Sequence, residues 1–296
     1  MDNSLQAIIK TLIYSDIFDY PLRKEEVWEY LVSSKTNSKQ KIFSYLTKDN
    51  NIFSQKNDFY FLKGREGIIK KRLEREKQSF EKIRFTKKII RKLSLVPTVD
   101  FIGISGALSM KNSEENDDID LFVICKKKSV WSTRFMLVVI LKFLRVYRGR
   151  GDEDISNKIC LNFLIDKTEI LFPRQKRDLY TAHEIAQIWP LFSRNKTYEN
   201  FINKNDWVKN FLPNISGKRA EIIGKKNFLN YFFSVLSANI ITENLIKKIQ
   251  FWHMKKNITK ETITESLLAF HPFDYRNYVL NKYKKKIRKI DIVIQY

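Results

Sequence analysis

Residues 99–124 read VDFIGISGALSMKNSEENDDIDLFVI, and this stretch decides the fold. Its apolar ends predict two strands, and the polar residues between them predict a connection that reverses the chain. Alternate side chains of an extended strand share a face. Asp118 and Asp120 are therefore expected to point the same way. Ile119 and Leu121 should point into the layer behind them.

The two carboxylates and the turn upstream of them predict a site for a metal-bound phosphate. Carboxylates that share a face repel each other, and a divalent cation relieves that repulsion. Mg²⁺ (or Mn²⁺) suits the pair, because it prefers one or two carboxylates together with phosphate oxygens. Upstream, Ser105-Gly106-Ala107 ends an apolar strand, where a tight turn brings backbone N–H groups to a phosphate.

This arrangement resembles the nucleotidyltransferase superfamily of DNA polymerase beta, over roughly residues 99–166. The resemblance implies a nucleoside triphosphate as substrate and Mg²⁺-dependent transfer of its nucleotidyl group to a hydroxyl acceptor. The implied nucleotide-binding positions are Ser105, Gly106, Ala107 and Ser109, and the implied metal ligands and catalytic residues are Asp118 and Asp120. The acceptor and the preferred nucleotide stay open.

The turn departs from that family's pattern at one position. The usual Gly-Ser pair reads Gly106-Ala107, so a hydroxyl that contacts phosphate is lost unless Ser105 or Ser109 replaces it. A protein of another class is therefore the alternative: a catalytically degenerate fold that senses nucleotides or regulates through nucleic-acid binding. A third carboxylate within reach of the aspartate pair would favour the enzyme.

The third carboxylate of the family is the second departure. The strand Lys158–Asp166 should carry it, and Asn162 occupies the expected central position. Asp166 lies two steps further along the same predicted face, and we take it as the catalytic candidate. Asp154, in the acidic loop before the strand, is the other candidate.

Residues 1–64 predict a small module of three short helices followed by a hairpin. This order resembles a winged helix, a fold that usually docks its third helix in a DNA groove. The resemblance implies phosphate contacts from Lys35, Lys39, Lys41 and Lys56. The alternative is a winged helix that binds protein or is purely structural.

The composition favours a polyanionic partner. The chain has 296 residues and a formal net charge of +22, which suits a nucleotide or nucleic acid. The coding bias of an AT-rich genome is the alternative source of this charge. The two cysteines, Cys125 and Cys160, indicate free thiols in a reducing compartment.

Location is predicted from segments that the chain lacks. The N-terminus has no secretory pattern. Residues 130–147 carry three charges, and the apolar run 228–242 is shorter than the roughly 20 residues that a membrane span needs. We expect a cytoplasmic protein without a membrane partner, and its oligomeric state stays open.

The predicted fold class is α+β with several domains: an N-terminal winged helix, a central mixed-sheet nucleotidyltransferase core and a helical C-terminal domain. The predicted boundaries are 1–64 for the module, 65–98 for a basic connecting helix, 99–190 for the core and 191–296 for the helical domain.

Two further sequence features, an arginine after a predicted helix and half of a zinc motif, are explained by ordinary helix structure. Arg148 lies just after the helix predicted for 129–146, where cations favour the helix dipole, and facing a triphosphate is the alternative. His183 and Glu184 begin half of a His-Glu-x-x-His zinc motif, but Gln187 replaces the second histidine. We therefore predict an ordinary helix there.

Overall fold

The computed structural model describes residues 2–48, 50–149, 151–217, 220–224, 240–255, 262–269 and 275–294. The helices are α1 (Asn3–Asp16), α2 (Lys24–Glu29), α3 (Lys39–Leu46), α4 (Ile68–Leu93), α5 (Gly106–Ser109), α6 (Val130–Phe143), α7 (Leu179–Gln187), α8 (Thr197–Lys204), α9 (Ile240–Lys255) and α10 (Tyr275–Ile294). The strands are β1 (Leu22–Arg23), β2 (Phe53–Lys56), β3 (Phe59–Leu62), β4 (Val99–Ile104), β5 (Ile119–Cys125), β6 (Ile159–Asp166), β7 (Trp189–Arg194), β8 (Ile222–Gly224), β9 (Thr262–Ile263) and β10 (Leu267–Ala269).

The N-terminal part contains the predicted three helices and hairpin, and it adds a short strand. Its sheet has the order β1-β3-β2, with both strand pairs antiparallel. The second helix begins at Lys24. Its start is fixed by Glu26, whose carboxylate accepts a hydrogen bond from the Arg23 N–H at 2.8 Å.

The central sheet is mixed, as predicted, and has seven strands in the order β8-β7-β4-β5-β6-β10-β9. The quoted stretch forms its centre, with β4 antiparallel to β5. Strands β5 and β6 are parallel, and so are β7 and β8. The chain therefore belongs to the α+β class.

Helices cover both faces of this sheet. One face packs against α4, α6 and α9, with Ile90, Leu137 and Ile246 among the contacting side chains. The other face packs against α7, α8 and α10 and also against the N-terminal part. The sheet is thus an inner layer.

The N-terminal part shares one hydrophobic core with the second face of the sheet. Ile8 and Leu12 of α1 belong to the same buried cluster as Phe122 of β5 and Ile185 of α7. Tyr20 reinforces this junction, because its hydroxyl donates to the carbonyl oxygen of Met110 at 2.6 Å. The described part of residues 1–64 is therefore packed against the second face of the sheet and shares its hydrophobic core.

The predicted helical domain 191–296 needs a correction. Its first boundary falls inside β7, and β8, β9 and β10 also join the central sheet. Pro190 lies in β7 where the pairing with β4 shifts its register, a position that tolerates a missing N–H. The other three strands have two or three residues each, too few for a period-two pattern.

The apolar run 228–242 falls largely outside the described residues. It is described only from Ile240 onward, where α9 begins. Over the described part of the chain, every helix is too short or too polar to cross a membrane.

Candidate active site

The paired aspartates lie at the start of β5 and face the same side of the sheet, as the alternation predicts. Ile119 and Leu121 point into the opposite layer, where both are fully buried. One carboxylate oxygen of Asp118, one of Asp120 and the Cys160 Sγ all lie within 4.8 Å of one another. This spacing allows the two carboxylates to share a single cation.

The turn after β4 lies directly against Asp120. Gly106 has a φ of +62°, a conformation that L side chains rarely adopt. A β-carbon added to Gly106 would lie 2.8 Å from Asp120 Oδ2. The Ser105 N–H donates to the Asp120 carbonyl oxygen at 3.0 Å, which fixes the turn to the strand. Glycine is therefore needed for both the backbone and the space.

A cleft of about 220 Å³ opens between the turn and the aspartates. Its lining residues are Ser105, Ala107, Leu108, Asp117, Asp118 and Asp120. Three of the four predicted nucleotide-binding residues thus lie at the cleft or touch Asp120. Ser109 does not line it, because this buried hydroxyl donates to the Gly106 carbonyl oxygen at 2.8 Å within α5.

The long basic helix α4 holds the loop that leads into the aspartates. Lys82 is buried, and its Nζ donates to the carbonyl oxygens of Glu114, at 2.6 Å, and Asp117. The Ser113 N–H donates to Ser79 Oγ at 3.2 Å. Part of the charge on the predicted connecting helix therefore positions the site and does not face solvent.

Electrostatics distinguish the two carboxylates. Asp118 is paired with the guanidinium of Arg148. Arg148 was predicted either to stabilise the helix end or to face a triphosphate, and in the structure it contacts the carboxylate pair. Burial and the neighbouring Asp118 raise the pKa of Asp120 above its ordinary value. Burial also raises the pKa of the Cys160 thiol, so the thiol stays protonated at neutral pH.

These residues fit a hard cation that also binds phosphate. Asp118 and Asp120 supply two carboxylates on one side, and the adjacent cleft leaves room for phosphate oxygens and water. A protonated thiol at Cys160 is a poor ligand for Mg²⁺, which prefers oxygen. In the cluster of Asp118, Asp120 and Cys160, the two carboxylates are therefore the groups that suit Mg²⁺.

The structure contradicts the assignment of Asp166 as the third catalytic carboxylate. In the parallel pairing, Asp120 lies opposite Cys160, whereas Asp166 lies opposite Cys125 at the other end of β5. Five residues at about 3.3 Å each separate them by roughly 17 Å. Asp166 is 2% exposed and accepts hydrogen bonds from the backbone N–H groups of Lys128 and Thr168, so its role is structural.

A bulge in β6 explains why its alternation was predicted wrongly. The pairing shifts between Asp120–Cys160 and Phe122–Phe163, so two residues of β6 oppose one of β5. Ile159 and Leu161 before the shift and Leu164 after it pack on one face, whereas Phe163 and Ile165 pack on the other. Asn162 sits at the bulge and lines a second cavity with Asp120. Asp154 is exposed in the loop and is not part of the aspartate cluster.

The predicted nucleic-acid contacts lie away from this site. Lys35, Lys39, Lys41 and Lys56 are all exposed. Lys39 lies on α3 with its Nζ over the Phe43 ring, 5.5 Å from the centroid. On the same helix, Ile42 and Leu46 are buried against the rest of the N-terminal part. The outer face of α3 is therefore free to meet another molecule.

Helix α7 carries functional candidates that the sequence did not reveal. The region is an ordinary helix, as predicted, but His183 and Glu184 face the second cavity beside Asp120. The His183 ring stacks on Tyr14 at 3.8 Å between centroids. Desolvation by burial raises the pKa of Glu184 to about 7. A carboxylate on the inward face of a predicted amphipathic helix was the signal available.

Comparison of the chain with protein-family models, with curated proteins and with solved structures gives no match in any of the three.

Proposed function

We propose that the chain is a Mg²⁺-dependent nucleotidyltransferase that acts on a nucleoside triphosphate and a hydroxyl acceptor. The observation that carries the proposal is the convergence of Asp118 and Asp120 beside the Gly106 turn, with one oxygen of each within 4.8 Å of the other. Without a cation, this burial of neighbouring carboxylates costs stability through like-charge repulsion. A site that keeps such a pair beside a backbone turn suits a metal-bound triphosphate.

The chain's own groups have separate roles in this reaction. The turn at Ser105–Ala107 holds the terminal phosphates through backbone N–H groups, and Arg148 adds a positive charge on the Asp118 side. A bound Mg²⁺ would neutralise the phosphates and support the leaving group. The acceptor oxygen bonds to the α-phosphorus, the bond to the bridging oxygen breaks, pyrophosphate leaves with the electron pair, and the hydroxyl proton passes to water.

A second candidate is a degenerate site that binds nucleotide without transferring it. Two observations favour it: Cys160 occupies the place beside the aspartates where β6 would supply an acid, and Arg148 already neutralises Asp118. In this version the exposed lysines of α3 and the β2–β3 hairpin contact nucleic acid, and the core reports nucleotide levels. The winged-helix interpretation of residues 1–64 belongs to the same proposal.

Product formation separates the two candidates. The purified chain is incubated with each nucleoside triphosphate labelled at the α-phosphate, with Mg²⁺, and with cellular pools of RNA, protein or small molecules. The enzyme transfers label to one pool and releases pyrophosphate, and Asp118→Asn with Asp120→Asn abolishes both. Nucleotide binding without transfer to any pool would support the sensor.

A further inference from the structure

A second cavity of about 350 Å³ lies next to the metal and phosphate cleft. The linings of the two spaces share Ala107 and Asp120, so the spaces adjoin at Asp120. The walls of the second cavity come from α1 and the segment between α1 and α2, from the end of α2, from α5 and the loop after it, from β5 and β6, from α7 and from the first residue of α10. The N-terminal part is therefore a component of this cavity.

Aromatic rings dominate the walls. The ring-bearing residues, apart from the histidine, are Tyr14, Phe18, Tyr20, Tyr30, Tyr180 and Tyr275. Several contact one another: the Tyr14 and Phe18 centroids are 5.5 Å apart, and the Tyr180 and Tyr275 centroids are 6.3 Å apart. Such a wall packs against flat or apolar groups, and the faces of its rings attract cations.

The charge of the cavity is opposite to that of the chain. The chain has 55 basic and 33 acidic residues, yet the described lining residues include no lysine or arginine, and their carboxyl groups are those of Asp120 and Glu184. His183 is neutral at pH 7, because burial lowers its pKa to about 4. A phosphate or a nucleic-acid backbone would be repelled here.

Glu184 has no hydrogen bond or ion pair within the described ranges. An unpaired carboxylate in such surroundings is costly, because it has lost water and gained no partner. A ligand that brings a positive charge offsets this cost, and a neutral or anionic ligand does not. The cavity therefore selects for a cation.

We propose that this cavity is the acceptor subsite and that the acceptor is a small amine that also carries a hydroxyl group. Its ammonium group pairs with Glu184, its body packs on the tyrosine rings, and its hydroxyl lies toward Asp120. The acceptor role rests on the proposed nucleotidyl transfer, whereas the preference for an amine rests on the cavity alone.

Three compounds of similar size test the preference for a positive charge. Tyramine has a protonated amine, 4-ethylphenol lacks it, and 3-(4-hydroxyphenyl)propionate has a carboxylate in its place. Dissociation constants are measured by ligand-observed NMR titration of the full chain without metal or nucleotide. Tyramine should bind roughly tenfold more tightly than 4-ethylphenol, the scale of a hydrogen-bonded charge pair, and the propionate should bind most weakly.

Glu184→Gln should remove the tyramine advantage and leave 4-ethylphenol binding unchanged, which also reports that the variant is folded. Glu169→Gln, at an exposed position outside the cavity, is the control and should keep the wild-type order. Equal binding of the three compounds, or a tyramine advantage that survives Glu184→Gln, would overturn the proposal. So would adenosine binding more tightly than tyramine and independently of Glu184, since the cavity would then hold the nucleoside.

A separate titration of the full chain with Mg²⁺-nucleotide distinguishes this inference from the proposed function. If tyramine binding depends on Glu184 but the chain fails to bind Mg²⁺-nucleotide, the amine site is supported and nucleotidyl transfer is refuted. If the chain binds Mg²⁺-nucleotide but shows no preference for the amine, the amine site is refuted and nucleotidyl transfer is still supported.

Discussion

Replacing Gly106 by alanine perturbs the site through two effects that the structure separates. The first is the backbone, because Gly106 has a φ of +62°. The second is space, because the added β-carbon would lie 2.8 Å from Asp120 Oδ2. Two other glycines provide controls. Gly64 has a φ of +80° and no atom within 4 Å of an added β-carbon, and Gly67 has open space and a helical φ of −59°.

The magnitudes follow from these three environments. A positive φ costs an L residue about 1–2 kcal/mol, so Gly64→Ala should lower the free energy of unfolding by about that amount. Gly67→Ala should be neutral or stabilising by up to roughly 1 kcal/mol, since alanine reduces the entropy of the unfolded chain. Gly106→Ala should cost more than Gly64→Ala, because the Asp120 carboxylate must also move.

Urea unfolding of the three variants measures these free energies, and calorimetry measures Mg²⁺-ATP binding. Gly106→Ala alone should weaken nucleotide binding, because it displaces a proposed metal ligand. Gly64→Ala should lose stability and keep its affinity. The reasoning is refuted if Gly106→Ala matches Gly67→Ala in stability, or if Gly106→Ala and Gly64→Ala bind nucleotide equally.

Three further predictions concern charge. Arg148→Gln should strengthen binding of Mg²⁺ alone by roughly fivefold, the scale of a partly exposed ion pair, because the Asp118 carboxylate loses a competing cation; calorimetric titration that finds unchanged affinity would contradict the pairing. Glu184 has a folded-state pKa near 7 against an ordinary 4.5, so the folded state holds a proton that the unfolded state has released, and wild-type stability should fall as pH rises from 4.5 to 7. The difference in the free energy of unfolding between Glu184→Gln and the wild type should therefore shift in favour of the variant between pH 4 and pH 8, by up to about 3 kcal/mol. Parallel pH profiles for the two proteins would refute this. If the N-terminal part binds duplex DNA, alanine at Lys35, Lys39, Lys41 and Lys56 should lower the magnitude of the slope of log affinity against log salt by about 0.9 per lost phosphate contact. Fluorescence anisotropy measures this slope, and an unchanged slope would show that these lysines do not contact DNA.

The aspartate pair could be placed from the sequence because its strand is regular. Period-two alternation over Asp118–Val123 holds along β5, so the faces predicted for the carboxylates and for Ile119 and Leu121 are the faces observed. The neighbouring turn was equally local, because one glycine and its preceding strand define it. Short-range patterns were sufficient for this half of the site.

The other half depends on contacts that no local pattern records. The register of β6 against β5 places Cys160 beside Asp120 and Asp166 beside Cys125, and one extra residue at the bulge reverses the alternation after Leu161. The second cavity assembles Tyr14, Tyr180 and Tyr275 from three distant parts of the chain. Each of these residues looks like ordinary core in its own helix.

Binding of Mg²⁺-nucleotide at the aspartate pair is the central claim, and calorimetry of the wild type and of Asp118→Asn with Asp120→Asn tests it most directly. Mg²⁺-ATP and Mg²⁺-CTP are titrated into both proteins, and thermal unfolding confirms that both are folded. We predict saturable, Mg²⁺-dependent binding of at least one nucleotide by the wild type and none by the double variant. Equal binding by the two proteins would contradict the claim.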